Sequence, residues 1–314
     1  LSLGCSMGTI DDPSGGDSNL PTLGAGPFAK PLLDFDTTGD EPYVVALPRT
    51  SLYEPSVLSR DDGGFRIWYS RQPDDEEAVS IWYSEIPSIL ELPDVAASAA
   101  LEPTQEWEDD RVSAPSIVRL GDDRLVMMYE GGQDRRHIGI AFSDDDGTSW
   151  QKSDANPVIL DAITPTIAYA GDRFVAVFSK LDDDTSLYAA DSADGSEWTI
   201  RNAPIIEARV EDGTAFDRLS VSSPNLTLQR TATGRLHLGL HFVGRNRDDE
   251  ASIGYAGSFD GVEWERFFGS EAVLSDNPPE ETGPSLVLRG PRAFLFFSQP
   301  KQLRGAIAVA VHPG

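Results

Sequence analysis

The stretch Ala114–Trp150, APSIVRLGDDRLVMMYEGGQDRRHIGIAFSDDDGTSW, decides the fold because it holds one complete repeating unit. A small residue and a proline precede an apolar run, Pro115–Leu120, and a tight Gly-Asp turn leads into a second run, Arg124–Glu130. A polar loop leads to a third run, His137–Ser143, and the unit closes on Ser143–Trp150. Short β-branched and aromatic runs between Gly and Asp turns are typical of antiparallel strands.

The same unit occurs five times along the chain. Its anchor prolines lie 50–60 residues apart, at Pro55, Pro115, Pro165, Pro224 and Pro284. Three inner strands and one outer strand at this period are typical of a propeller blade, and a single blade cannot bury both of its faces. The sequence therefore predicts an all-β fold, a five-bladed β-propeller of four-stranded antiparallel blades that start near residues 53, 113, 163, 222 and 282.

The last repeat ends with only three strands, so its fourth strand must come from elsewhere. The segment 27–33, PFAKPLL, resembles the outer-strand segment 156–160 of another blade. We predict that 27–33 completes the last blade and that residues 27–314 form one propeller domain.

The segment 1–26 has a different character. Leu1–Ser6, LSLGCS, resembles the end of a bacterial lipoprotein signal, in which a small residue precedes a lipidated cysteine, here Cys5. The Gly-, Ser-, Asp- and Pro-rich residues that follow predict a disordered tether. We therefore expect a lipid-anchored protein of the bacterial cell envelope, or an extracellular one, and the alternative is an unrelated free cysteine.

The charge balance limits the possible partners. The formal net charge is −27, which disfavours nucleic acid and anionic membrane surfaces because phosphate binding needs a basic face. A membrane contact is thus expected only through the anchor on Cys5, and the protein is expected to be a monomer. Acidic loops such as 74–77, 182–184 and 248–250 solvate the surface or, alternatively, hold calcium. No cofactor is otherwise predicted.

The closing turn Ser143–Trp150 resembles the Asp-box of sialidases and other sugar-acting propellers. It returns at Ser192–Trp198 and Ser258–Trp264. Its aspartate accepts hydrogen bonds from turn amides, its glycine adopts a shape other residues resist, and its tryptophan packs between sheets. These turns indicate a fold and no chemistry.

Function in a propeller is expected at the axial mouth, where two sets of side chains converge. The first set precedes the anchor prolines: Glu54, Ala114, Thr164, Ser223 and Gly283. The second set ends the second strand of each blade: Arg71, Glu130, Lys180, His241 and Gln299.

The five-fold pattern resembles the furanosidase-type propellers of glycoside hydrolase families 43, 32 and 68 and the related mannoside phosphorylases. In family 43 the resemblance implies an acidic base before the first strand of blade one, an orienting acid in blade two and a Glu acid in blade three. Glu54 fits the first position, but the corresponding Ala114 and Thr164 cannot ionise.

Glycoside hydrolysis needs two carboxyl groups, so an active enzyme would need a relocated partner for Glu54. The candidate catalytic residues are Glu54, Asp110 and Glu281. The candidate substrate-binding residues are Tyr53, Arg71, Arg111, Glu130, Lys180, Asp217, Arg218, His241 and Arg245. Among these, Arg111, Arg218 and Arg245 could hold a carboxylated or sulfated sugar, and His241 could bind a metal or lie in the core.

Three functions remain open. The sequence favours a glycan-binding envelope protein that lacks the standard catalytic triad, with Tyr53, Tyr69 and Tyr129 as aromatic residues that could stack on sugars. The alternatives are an active glycoside hydrolase that pairs Glu54 with Asp110 or Glu281, and a protein-interaction scaffold unrelated to sugars.

Overall fold

A computed structural model describes residues 9–10, 28, 43–47, 49–74, 76–89, 96–121, 124–231, 235–267, 269–274, 281–301 and 304–312. Two short strands come first, β1 (Thr9–Ile10) and β2 (Tyr43–Val45). Blade one contains β3 (Thr50–Ser59), β4 (Phe65–Pro73), β5 (Ser80–Ile86) and β6 (Ala97–Leu101). A short 3-10 helix, Glu106–Glu108, precedes blade two, which contains β7 (Val112–Arg119), β8 (Leu125–Gly131), β9 (His137–Ser143) and β10 (Gln151–Lys152).

The remaining blades repeat this order. Blade three contains β11 (Ala162–Tyr169), β12 (Phe174–Lys180), β13 (Asp183–Ser192), β14 (Thr199–Ile200) and β15 (Ile206–Glu207). Blade four contains β16 (Ser220–Thr231), β17 (Leu236–Arg245), β18 (Ala251–Ser258) and β19 (Glu265–Arg266). Blade five contains β20 (Thr282–Arg289), β21 (Arg292–Lys301) and β22 (Arg304–His312). The predicted five-bladed β-propeller is confirmed.

A strand from the N-terminal part of the chain completes blade five. That strand is β2, Tyr43–Val45, which pairs antiparallel with β22, so it lies later in the chain than the predicted segment 27–33. Within 27–33 the structure describes only Phe28, which is buried between blades four and five. Strand β1 pairs in parallel with the end of β16, and the rest of the predicted tether and Cys5 lie outside the described residues.

Five apolar layers hold the blades together. Side chains alternate along each strand, so one strand supplies two layers. In β8, Met127 and Tyr129 pack against Trp68 of blade one, whereas Val126 and Met128 pack against blade three. The same alternation operates around the ring and ends where blade five packs against blade one. The alternating apolar residues of each strand thus form the contacts that hold neighbouring blades together.

A closed ring of hydrogen bonds joins the innermost strands around the axis. The residue after each anchor proline accepts a bond from the amide two residues after the next proline. The five donor–acceptor pairs are Ile117–Ser56, Ile167–Ser116, Leu226–Thr166, Leu286–Asn225 and Val57–Ser285, at 2.9–3.0 Å. Every anchor proline is therefore followed by a short polar side chain, because an amide of the neighbouring blade needs an acceptor there.

Replacing Thr166 by valine is expected to lower the free energy of unfolding by about 1–3 kcal/mol, because the Leu226 amide would lose its buried acceptor. Valine keeps the shape of threonine, so packing changes little. Chemical denaturation would measure the stability of Thr166→Val against that of Thr199→Val, because Thr199 lies on the exposed outer strand β14. Equal stability of the two variants would contradict a structural role for the ring.

Candidate functional site

The mouth of the propeller begins at an irregularity that all five blades share. The pairing of the first two strands shifts register at each anchor proline. The residue before each proline has a left-handed φ, between 46° and 56°: Glu54, Ala114, Thr164, Ser223 and Gly283. Such bulges redirect a side chain, and only glycine adopts this φ without strain. Four of the five positions therefore carry backbone strain at the mouth.

Glu54 of blade one projects across the axis and contacts blades four and five. Its Oε1 accepts a 2.7 Å hydrogen bond from the Ser223 hydroxyl of blade four. Its amide donates to the Ser298 hydroxyl of blade five over 2.9 Å. A Cβ on Gly283 would lie 2.9 Å from Glu54 Oε2. The carboxyl group of Glu54 therefore fits here because residue 283 has no side chain.

Burial raises the pKa of Glu54 to about 7, and the nearby Glu130 carboxylate adds to the increase, while the Ser223 hydrogen bond opposes it. An unperturbed glutamate ionises near pH 4.3. Near neutral pH this group is therefore present in both protonation states. The protonated form can donate a hydrogen bond, and the ionised form can only accept one.

Glu130 is the carboxyl group next to this site on blade two, and it is almost fully buried. Arg136 Nη1 lies 3.1 Å and Arg111 Nε lies 3.4 Å from its Oε1. Its Oε2 accepts a 3.1 Å bond from the amide of Thr164 in blade three. Two guanidinium groups and an amide thus surround a carboxylate that is only 1 % exposed.

Glu130 also occupies a repeated structural position. The equivalent residues in three other blades are serines, namely Ser70, Ser179 and Ser298. Ser70 accepts a bond from the Ala114 amide of the next blade at 2.8 Å, as Ser298 does from that of Glu54. Glu130 likewise accepts a hydrogen bond from the Thr164 amide of the next blade, and its carboxyl group can carry a charge that the serines lack.

An open pocket lies beside these groups. Its volume is about 470 Å³, and it lies between blades one, two and three. Its lining residues are Gln72, Glu77, Arg111, Gln133, Asp134, Arg136 and Leu181. Along the axis itself, the cavity among the five prolines and Glu54 measures only about 10 Å³, close to the room that one water needs. A ligand can therefore enter the mouth but cannot pass through the ring.

Four of the predicted residues come together here: Tyr53, Glu54, Arg111 and Glu130. Burial raises the pKa of Tyr53, which hydrogen-bonds Arg111. The other predicted aromatic residues are buried within blades, where Tyr69 bonds Ser84 at 2.8 Å and Tyr129 donates to Glu108 at 2.7 Å. Those two tyrosines cannot stack on a ligand.

The structure does not support the predicted partners of Glu54. Asp110 is exposed on a loop, where its carbonyl oxygen accepts the Val79 amide. Glu281 is completely buried, so no substrate reaches it. Asp217 is completely buried as well and is held by two arginines outside the mouth pocket, Arg209 at 2.6 Å and Arg266 at 3.0 Å. Their carboxyl groups are either inaccessible or away from the pocket.

The remaining predicted binding residues make contacts away from the mouth pocket. Arg71 stacks on Trp82, and Lys180 lies over the ring of Tyr188. His241 is buried against Tyr255 and Phe28, which places it in the core. Arg245 bonds Asp249, and Arg218 is half-buried beside Gly213. None of these five side chains lines the mouth pocket.

Arg136 is the site residue that the sequence did not reveal. It lies in the loop between β8 and β9, six residues after Glu130, whose carboxylate it contacts. The adjacent pair Arg135-Arg136 was the available signal in a chain with few basic residues. Ser298 was equally hidden, because it acts on Glu54 from another blade, whereas Ser223 belongs to the predicted set before the anchor prolines.

No group of three His, Cys, Asp or Glu side chains suited to a metal ion occurs among the residues that the structure describes. The acidic loops proposed for calcium make no such group within that part of the chain. Likewise, no helix in the described ranges has the length and apolarity needed to cross a bilayer.

Comparison with known proteins gives a match of shape and none of sequence. No family model and no curated protein matches the chain. A candidate glycoside hydrolase from Bacteroides ovatus superposes with a TM-score of 0.68 and 14% identity over 92% of this chain and 97% of that one. The fold is that of glycoside-hydrolase propellers.

This glycoside-hydrolase-like propeller also matches longer enzymes. A fructofuranosidase from Schwanniomyces occidentalis, solved with fructosylnystose, superposes with a TM-score of 0.65 and 15% identity over 86% of this chain and 58% of that one. The GH32 β-fructofuranosidase of Bombyx mori gives a TM-score of 0.61 at 18% identity, over 86% of this chain and 61% of that one. At these identities the likeness describes the fold alone.

Proposed function

We propose that the protein binds a glycan in the mouth pocket between blades one, two and three, without the standard catalytic triad that the resemblance to family 43 implies. The observation that carries the proposal is the pocket itself, about 470 Å³ of open space lined mainly by hydrogen-bonding side chains. Sugar hydroxyls need many hydrogen-bond donors and acceptors. The side chains that line this pocket supply them as carboxamides, guanidinium groups and carboxylates.

Binding is favoured over hydrolysis by the state of the second carboxyl group. An acid and a base, or an acid and a nucleophile, must both reach the scissile bond. Glu54 is partly buried, and Glu130 is enclosed by Arg111, Arg136 and the Thr164 amide. A carboxylate enclosed in this way is shielded from a substrate.

We also propose attachment to the bacterial cell envelope through a lipid on Cys5. The support is the Leu1–Ser6 pattern and the polar composition of the residues that follow it. Metabolic labelling with a palmitate analogue, with Cys5→Ser as the control, would test the anchor independently of sugar binding.

Gln133→Ala is expected to weaken glycan binding about five- to tenfold, the value of one net hydrogen bond in the mouth. A ligand would first be found on a glycan array, and its dissociation constant would then be measured by calorimetry. Gln151→Ala is the matched control, because Gln151 is an exposed residue on the outer strand β10. Absence of any glycan ligand, or equal effects of both substitutions, would refute the proposal.

A glycoside hydrolase remains the second candidate, with Glu54 as the acid and Glu130 as its partner. It is favoured by the placement of Glu54, whose carboxyl group is enclosed near Ser223 and Glu130, so that burial and the Glu130 charge raise its pKa to about 7. A general acid works best with a pKa near the working pH. Hydrolysis that both Glu54→Gln and Glu130→Gln abolish, with a rate that falls above pH 7, would establish this candidate in place of simple binding.

A further inference from the structure

We infer that the mouth pocket is specific for an acidic sugar, a hexuronic acid residue whose carboxylate binds Arg111 and Arg136 together. The inference rests on the proposed glycan binding and adds the class of ligand. It starts from two guanidinium groups that converge on one wall of the pocket in a chain with a net charge of −27. Such a pair is unexpected in so acidic a protein unless its environment requires it.

The first step of the argument is geometric. The contacts with Glu130 use Nε of Arg111 and Nη1 of Arg136, and Tyr53 takes a further bond from Arg111. A guanidinium has five N–H groups. Both side chains line the pocket, with 23% and 32% of their surfaces exposed, so each can also present N–H groups to a ligand.

The second step concerns charge. Glu130 is a single carboxylate between two arginines, so the three groups together carry a formal charge of +1. Glu77 and Asp134 also line the pocket, but both are exposed at its rim, where water and salt screen them. These rim carboxylates are suited to accept hydrogen bonds from sugar hydroxyls, whereas the two arginines are suited to bind the carboxylate of the sugar.

The third step concerns shape and the kind of anion. Arginine forks match planar carboxylates through paired hydrogen bonds. Glu130 demonstrates in this structure that the two guanidinium groups can share a carboxylate. Leu181 adds an apolar contact for the face of a sugar ring, and Gln72 and Gln133 add hydrogen-bonding groups. A sulfated sugar has related chemistry, and the experiment below separates the two.

The test compares hexuronate-containing oligosaccharides with their methyl esters, which keep the sugar and remove the charge. Calorimetry on the full chain is expected to show binding at least about tenfold weaker for each ester, because two charge-assisted hydrogen bonds are lost. Binding of the acid form should also weaken as salt is raised, while binding of the ester should not.

Arg136→Gln is expected to remove the preference for the acid form over its ester. Arg135→Gln is the matched control, because Arg135 is the sequence neighbour, with a side chain that is 79% exposed and outside the pocket lining. Arg136→Gln also takes a partner from Glu130, so Arg136→Lys is included. Lysine keeps the charge, and it should retain part of the preference if the variant folds.

The outcomes separate the two proposals. Binding of neutral glycans and esters as tight as binding of the acids, unchanged in Arg136→Gln, would overturn the acidic-sugar inference and leave the glycan site intact. Preference for sulfated oligosaccharides over hexuronates would overturn it as well. Failure of every glycan to bind would remove the proposed function itself.

Discussion

Replacing Asp217 by alanine is expected to lower the free energy of unfolding by about 3–5 kcal/mol. Asp217 has no exposed surface, and its two oxygens contact Arg209 at 2.6 Å and Arg266 at 3.0 Å. Arg209 lies in the connection that follows β15 of blade three, and Arg266 lies in β19 of blade four, so the triad ties this connection to blade four. Removal of the aspartate would leave two positive charges close together with poor access to water, which is the costly way to break a buried ion pair.

Thermal and urea denaturation of Asp217→Ala would measure this effect. The control is Asp249→Asn, because Asp249 pairs with Arg245 on the surface with a side chain that is 76% exposed, and asparagine tolerates its left-handed φ of 65°. Such a surface pair contributes at most about 1 kcal/mol. If Asp217→Ala matched the wild type in stability, the triad would have no structural role and Asp217 would return as a candidate for binding.

Glu54→Gln is expected to stabilise the protein at alkaline pH by about 3 kcal/mol more than it does at acidic pH. Burial raises the folded-state pKa of Glu54 to about 7 from the ordinary glutamate value of 4.5. Below pH 4.5 both states are protonated and the wild type bears no penalty. As the pH rises from 4.5 to 7, the unfolded chain releases this proton first, so wild-type stability declines.

Glutamine has no proton to lose and can still accept the Ser223 hydrogen bond through its amide oxygen. All other groups titrate in both proteins, so their contributions cancel in the difference. Melting temperatures measured at pH 4.5 and pH 8 should show the variant gaining about 5–10 °C on the wild type between the two conditions. A constant difference at both pH values would mean that Glu54 ionises normally and faces solvent.

The repeat pattern was sufficient to predict the propeller because each blade has the same local rules. The five anchor prolines and the alternating runs gave the number of blades and the order of strands. The completing strand was misplaced because 27–33 and the true strand, Tyr43–Val45, are both short and apolar. Pairing with β22, which selects between them, is a contact distant in sequence.

The site was predictable only in part. Glu54 directly precedes one anchor proline and Arg111 lies shortly before another, so their place at the mouth followed from the repeat. The left-handed backbone at Glu54 left no sign in the sequence, because glycine marks that position only in blade five, at Gly283. Asp217 and Glu281 lie near strand starts as well, yet both are buried. Distance along the chain cannot tell a pocket carboxylate from a packed one.

The closed ring of amide bonds has a mechanical consequence for recognition. Each blade is both donor and acceptor, so no blade can slide or tilt without breaking bonds to both of its neighbours. The backbone beneath the mouth is therefore rigid. A ligand must fit a preorganised site in which only the side chains and loops above this backbone can adjust. Preorganisation of this kind lowers the entropic cost of association and weakens the binding of ligands of the wrong shape.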